Sequence, residues 1–229
     1  MTNISKLFTA ILVLFVTSLV TTATASMCTA DGSTTTCEND FVIYEYENNT
    51  LFGEALGIDA DNQLVFLIGD MSASKSNMPG TTSLRETLDV KITVKEGTLA
   101  SLNIFELGDY KISQGQNVEA DLGTFVTEPM TGFDSDQFSS LNENSPNDGT
   151  LTEWSLENTH ELSGEATMAN LLIQNLLLAR ISTITEFALI DKKRLEIGYT
   201  VVPLPAAVWM FGSVLATLGL FRKKAAAKA

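Results

Sequence analysis

Residues 88–94 read Leu-Asp-Val-Lys-Ile-Thr-Val, apolar and polar side chains in strict alternation. A period of two predicts a strand with one buried face. Residues 195–201 repeat the pattern, and 41–46, 64–68, 99–105, 109–112, 118–126 and 187–190 are shorter candidates. Turn-forming residues separate many of them, at 57–62, Gly69-Asp70, 78–80, Gly97 and 147–149. Many short strands with frequent turns predict an all-β fold, a β-sandwich or jelly-roll-like ectodomain. No internal repeat of fixed period is visible. Asp191-Lys192-Lys193-Arg194 predicts a charged turn between two late strands, and the last strand is expected to end near Tyr199.

Two stretches read less simply. In 166–184, Met168, Leu171, Leu172 and Leu178 share a helical face that Ser163 would cap. Leu171, Ile173, Leu177, Ala179 and Ile181 share a strand face instead, and Asn175 interrupts both patterns. The β surroundings favour a buried strand. Residues 133–149 are polar and rich in Asp, Asn and Ser, which predicts a long mobile loop.

The two ends differ from the middle. Lys6 precedes an apolar stretch at 7–20, and Ala23-Thr24-Ala25 follows it. This is the pattern of a secretory signal peptide at 1–25, an N-terminal signal helix read by the Sec export machinery and cut by signal peptidase between Ala25 and Ser26. At the other end, residues 201–221 are uncharged and mostly apolar, long enough to cross a bilayer as a C-terminal transmembrane helix. Arg222, Lys223 and Lys224 follow as a stop-transfer tail that stays cytoplasmic. The intervening β-rich domain, 26–200, is then expected outside. Pro203 and Pro205 push Val202 and Leu204 toward extended backbone, so a helix starts only near Pro205 or Ala206. An extended segment at the membrane boundary is open to a protease.

The order Val202-Pro203-Leu204-Pro205-Ala206, then Ala207-Val208-Trp209-Met210-Phe211-Gly212-Ser213, a short apolar helix and a basic tail closely resembles the PEP-CTERM sorting signal in its VPLPA variant. The match covers 202–224. Met210 and Val214 stand where that variant commonly has Leu and Gly. The resemblance implies sorting by exosortase, a membrane-embedded cysteine protease-like enzyme, from an inner-membrane intermediate to the cell surface or extracellular matrix. It further implies a Gram-negative, polysaccharide-producing host. Residues 187–197 also resemble the closing hairpin of small sandwich domains that carry this tag.

Charge narrows the partners. All 28 acidic residues lie between Asp31 and Glu196, against nine basic ones, a surplus of 19 negative charges. Such a domain repels phosphate backbones, so no nucleic-acid partner is expected. Cys28 and Cys37 are the two cysteines. In an exported protein they predict a disulfide that ties down the N-terminus locally. In the chain-entropy model so short a loop is worth about 2–3 kcal/mol.

Candidate chemistry is sparse. His160 is the single histidine. Glu161 is adjacent, but neighbours on a strand point to opposite faces, so Glu161 cannot orient the imidazole. His160 therefore reads as structural. Glycosidases need only two carboxylates, and no pair stands out among 28. Trp154 is read as core, with sugar stacking as the alternative. Asp59-Ala60-Asp61-Asn62-Gln63 resembles the start of a calcium loop but lacks the glycine at its sixth position and the glutamate at its twelfth. It and Asp134-Ser135-Asp136 read as turns, and no cofactor is implied beyond calcium as a candidate.

The sequence thus predicts no catalytic site and no enzyme. The leading expectation is a structural or adhesive protein of the exopolysaccharide or biofilm matrix. The alternatives are a carbohydrate-binding module using Trp154 and an acidic loop, and a polysaccharide hydrolase.

Overall fold

A computed structural model describes residues 27–202, apart from 49, 114, 115 and 148. The predicted signal peptide with its predicted Ala25–Ser26 cleavage point, residues 203–206 of the predicted sorting motif, the predicted transmembrane helix and the basic tail lie outside these residues. The described residues form strands and no helix, and so no helix long and apolar enough to cross a membrane.

The strands are β1 Met27–Asp31, β2 Thr34–Glu38, β3 Val42–Glu47, β4 Ala55–Ile58, β5 Leu64–Leu67, β6 Ser72–Ser76 and β7 Gly80–Val94. They continue with β8 Thr98–Ile112, β9 Asn117–Glu128, β10 Phe133–Glu143, β11 Thr152–Ala166, β12 Met168–Ile181 and β13 Phe187–Val202. All pairings are antiparallel. Seven strands make one sheet in the order β1-β2-β3-β7-β12-β9-β10. Six make the other, β11-β8-β13-β5-β4, with β6 beside β5 along β13. The all-β sandwich expected from the alternating pattern is what forms.

Alternation builds the core. On β12, Ala169, Leu171, Ile173, Leu177, Ala179 and Ile181 point inward and are buried. They meet Leu102, Ile104, Ile112, Ile190, Leu195 and Ile197 from the facing sheet in one cluster. At roughly 25 cal/mol per Å² of apolar surface, this layer is the main stabilising term. The ambiguous stretch 166–184 is therefore a strand, and Asn175 occupies an inward position on it.

Three expectations need correction. First, 191–194 is not a turn. β13 runs through it, and a bulge between Lys192 and Arg194 shifts the register against β8. Inward positions are even-numbered up to Lys192 and odd-numbered from Leu195. The extra residue broke the alternation and imitated a turn. The resemblance of 187–197 to a closing hairpin fails for the same reason, and β13 ends at Val202 rather than Tyr199. Second, 133–143 is not loop but β10, paired with β9 along its length. As an edge strand it needs little apolar surface, so its polar composition misled. Asp134-Ser135-Asp136 lies on β10 and is not a turn. Third, 99–105 and 109–112 are parts of one strand, β8.

Cys28 and Cys37 form the expected disulfide between directly paired residues of β1 and β2. It locks the outermost hairpin of the seven-stranded sheet. Asp59 holds the expected turn, its carboxylate accepting from the amides of Asp61 (3.0 Å) and Gln63 (2.9 Å).

Candidate functional site

The two side chains singled out in the sequence, His160 and Trp154, are buried and hydrogen-bonded. His160 is buried between the sheets, its ring nitrogens 2.7 Å from Thr124 Oγ1 and 2.9 Å from Ser135 Oγ. Burial lowers its pKa, against the pull of Asp136. No carboxylate hydrogen-bonds the imidazole among the described residues, and Glu161 faces outward as expected. Trp154 is 4 % exposed and donates its indole N–H to the Asp191 carbonyl at 3.1 Å. It is core, so a sugar platform built on Trp154 is excluded. No group of three or more His, Cys, Asp or Glu among the described residues is placed to hold a metal.

The outer face of the seven-stranded sheet is different. Pairing places side chains in rungs that cross the strands. One rung runs Thr87, Gln174, Gly123, Phe138 across β7, β12, β9 and β10. The next runs Arg85, Leu176, Asp121. With strands about 4.8 Å apart, the four-strand rung spans about 14 Å. A groove of about 200 Å³ lies over these two rungs, lined by Arg85, Asp121, Gly123, Phe138, Gln174 and Leu176 among others.

Gly123 shapes the groove. A Cβ there would lie 3.2 Å from the Phe138 ring, so the missing side chain lets Phe138 lean over the strand. Phe125, one rung away, meets Phe138 edge to face with centroids 5.3 Å apart. Phe138 is nevertheless 70 % exposed. Around it, Arg85, Asp121 and Gln174 have no side-chain hydrogen bond or ion pair among the described residues. An open aromatic ring beside unengaged cationic, anionic and amide groups can stack on a flat apolar face and hydrogen-bond its polar rim.

Two further depressions lie on the same face. One, about 340 Å³, is lined by Glu45, Glu47, Asp89, Lys91 and Asn170. The other, about 560 Å³, is lined by Asn117, Glu119, Asn142, Asn144 and Arg180. The face is thus grooved and polar, with its exposed aromatic on the edge strand β10, between the two depressions only in the direction along the strands.

Sequence reasoning missed this site. Phe138 sat inside the stretch read as loop. Phe125 carried the one usable signal, an aromatic at an outward position of 118–126, between Asp121 and Thr127.

No protein-family model matches the chain. No curated protein matches it either. Among solved structures, TmCBM61, determined with β-1,4-galactotriose, is 11 % identical, covering 60 % of this chain and 88 % of its own, at a TM-score of 0.26. The CBM36-1 domain of a multidomain xylanase from the hindgut metagenome of Trinervitermes trinervoides is 14 % identical, covering 62 % and 100 %, at 0.27. The infectious bursal disease virus VP2 subviral particle is 12 % identical, covering 82 % and 61 %, at 0.24. Likenesses at these TM-scores carry no argument about this chain.

Proposed function

We propose that this is an exported, non-catalytic glycan-binding protein that holds neutral polysaccharide in the outer groove of its seven-stranded sheet. The observation that carries this reading is the exposed Phe138 ring beside the unengaged Arg85, Asp121 and Gln174. A sugar ring offers a C–H face for the aromatic and hydroxyls that both donate and accept. A cation, a carboxylate and an amide side by side suit such a ligand. The large negative surplus repels acidic polymers and so favours neutral ones.

The Cys28–Cys37 disulfide supports export, because such bonds persist in oxidising compartments. The motif beginning at Val202 supports exosortase sorting to the surface or matrix, where polysaccharide is at hand. A structural or adhesive role there follows from glycan binding rather than competing with it.

The test is affinity electrophoresis of the protein against soluble β-glucan, xylan and galactan and the host's own exopolysaccharide. At least one neutral polymer is expected to retard the protein. Phe138→Ala is expected to weaken that retardation by about two- to tenfold, consistent with loss of about 0.5–1.5 kcal/mol of stacking. Its melting temperature should hold, since Phe138 is exposed. Retardation by none of the polymers, or unchanged retardation of the variant, would sink the reading.

A further inference from the structure

The sandwich interior holds a charged group that the glycan groove does not use. Lys192 sits at the β13 bulge and is 1 % exposed. Its stem crosses the core toward the opposite sheet. Nζ contacts Glu106 Oε1, from the neighbouring strand β8, and Asn175 Oδ1, from β12 across the sandwich. Glu106 and Asn175 are each 1 % exposed. The Phe52 ring lies 4.5 Å from Nζ and helps close the site. Asn175 Nδ2 has no hydrogen-bond partner among the described residues.

As a plain ion pair this arrangement is a poor investment of three core positions. Desolvating both charges offsets most of their attraction, and apolar residues of similar volume are often as stabilising. It also leaves a buried amide nitrogen unsatisfied, which costs free energy. As a reaction centre it is complete. Burial pushes the Lys192 pKa down to about 8 against the opposing pull of Glu106, so the neutral amine is accessible. A desolvated lysine amine is a nucleophile. Nζ touches the amide oxygen of Asn175 and therefore lies within reach of its Cγ. Glu106 contacts the same Nζ and can carry a proton away from it.

We propose that Lys192 and Asn175 are joined by an intramolecular isopeptide bond, formed within the folded sandwich with Glu106 as the proton carrier. Glu106 takes a proton from the Lys192 ammonium. The freed Nζ lone pair attacks Asn175 Cγ, and the carbonyl electron pair moves to Oδ1. As the carbonyl re-forms, the Cγ–Nδ2 bond breaks, and Nδ2 leaves as ammonia. Nδ2 receives the proton held by Glu106, and Nζ then gives its second proton to the freed Glu106 carboxylate, which ends protonated and neutral. One Nζ–Cγ bond replaces one Nδ2–Cγ bond, nothing is oxidised or reduced, and no outside reactant is needed. Closure of the core excludes bulk water from the amide. The product ties β12 to β13 and hence one sheet to the other. Unlike the Cys28–Cys37 bridge, it is indifferent to reductants.

The experiment is a tryptic map of the folded wild-type full chain after reduction. Trypsin cuts at Lys111 and Arg180 and, when the side chain is free, at Lys192. The bond is expected to yield residues 112–180 linked to 181–193, lighter than the two free peptides together by one ammonia, about 17 Da. Fragmentation should place the link at Asn175 and Lys192. Separate peptides 112–180 and 181–192 from folded wild-type protein would overturn the proposal. Glu106→Gln is expected to leave the peptides unlinked, and a link formed at the wild-type extent in that variant would remove Glu106 from the mechanism. If the variant does not fold, the wild-type map still decides whether the bond exists.

Discussion

Single residues set several close tolerances in this protein, and Gly108 is the tightest. It pairs with Trp154 on β11 and with Lys192 on β13. A Cβ at 108 would lie 2.6 Å from the Trp154 ring and collide with the Asp191 carbonyl oxygen that accepts the indole N–H. Gly108→Ala is therefore expected to destabilise the fold by about 1–3 kcal/mol through overpacking, read as a lower urea midpoint. Two buried titratable groups make a second expectation. His160 has its pKa lowered by burial, with Asp136 opposing. As pH falls, the unfolded chain takes up the imidazole proton first. Stability is full above about pH 6.5 and declines from there toward the lower folded value. Glu128 acts further down. Burial would raise its pKa, but hydrogen bonds from the Ser163 hydroxyl and amide and the Thr131 hydroxyl outweigh burial and lower it. Its contribution is present above about pH 4.5 and is lost as pH falls through the depressed value. Melting temperature against pH should fall in two steps between about pH 7 and 3, and His160→Gln should remove the upper one.

Elements were legible where their apolar alternation was unbroken. β7, β9 and the end of β13 carry clean patterns, and their existence and buried faces followed from sequence alone. β11 did not, because its inward positions include Asn158 and His160 among Trp154 and Leu156. Those polar groups are satisfied by Leu122, Thr124, Ser135 and Gln137 from β9 and β10, partners that only the fold brings near. β10 was illegible for the converse reason. One of its faces is solvated, and toward the interior it offers the Ser135 hydroxyl and the Gln137 backbone carbonyl to that polar layer, with Leu141 packed against the core. The bulge in β13 hid a third feature, the inward turn of Lys192. One inserted residue reverses the facing of everything beyond it, so a period-two reading splits the strand in two. The candidate groove depended on all of these, since it is assembled from β7, β12, β9 and β10 at once.

At the scale of the whole molecule the two outer faces differ in kind. The six-stranded sheet shows solvent Glu153, Glu157, Glu161 and Lys193, with Asp191, Arg194 and Glu196 half-buried, a charged surface. The seven-stranded sheet shows the groove. The described chain also meets the proposed sorting motif without slack, because Val202 is both the first residue of that motif and the last of β13, paired with Thr98. If exosortase processing occurs, mass spectrometry of the native mature protein should find a new C-terminus within 202–206. An intact Ala229 in a host that has the enzyme would identify an ordinary anchor instead.

That strand has a mechanical meaning. β13 runs through the middle of its sheet, flanked by β8 on one side and by β5 and β6 on the other. Tension applied at residue 202 acts lengthwise on it, so many ladder bonds must yield together in shear. Tension at the opposite end, on β1, meets a rim strand that would unzip one pair at a time, were it not for the sulfur bridge at its second residue. Under the proposed C-terminal sorting, a pull from bound polymer would therefore be borne along a central strand of the sheet.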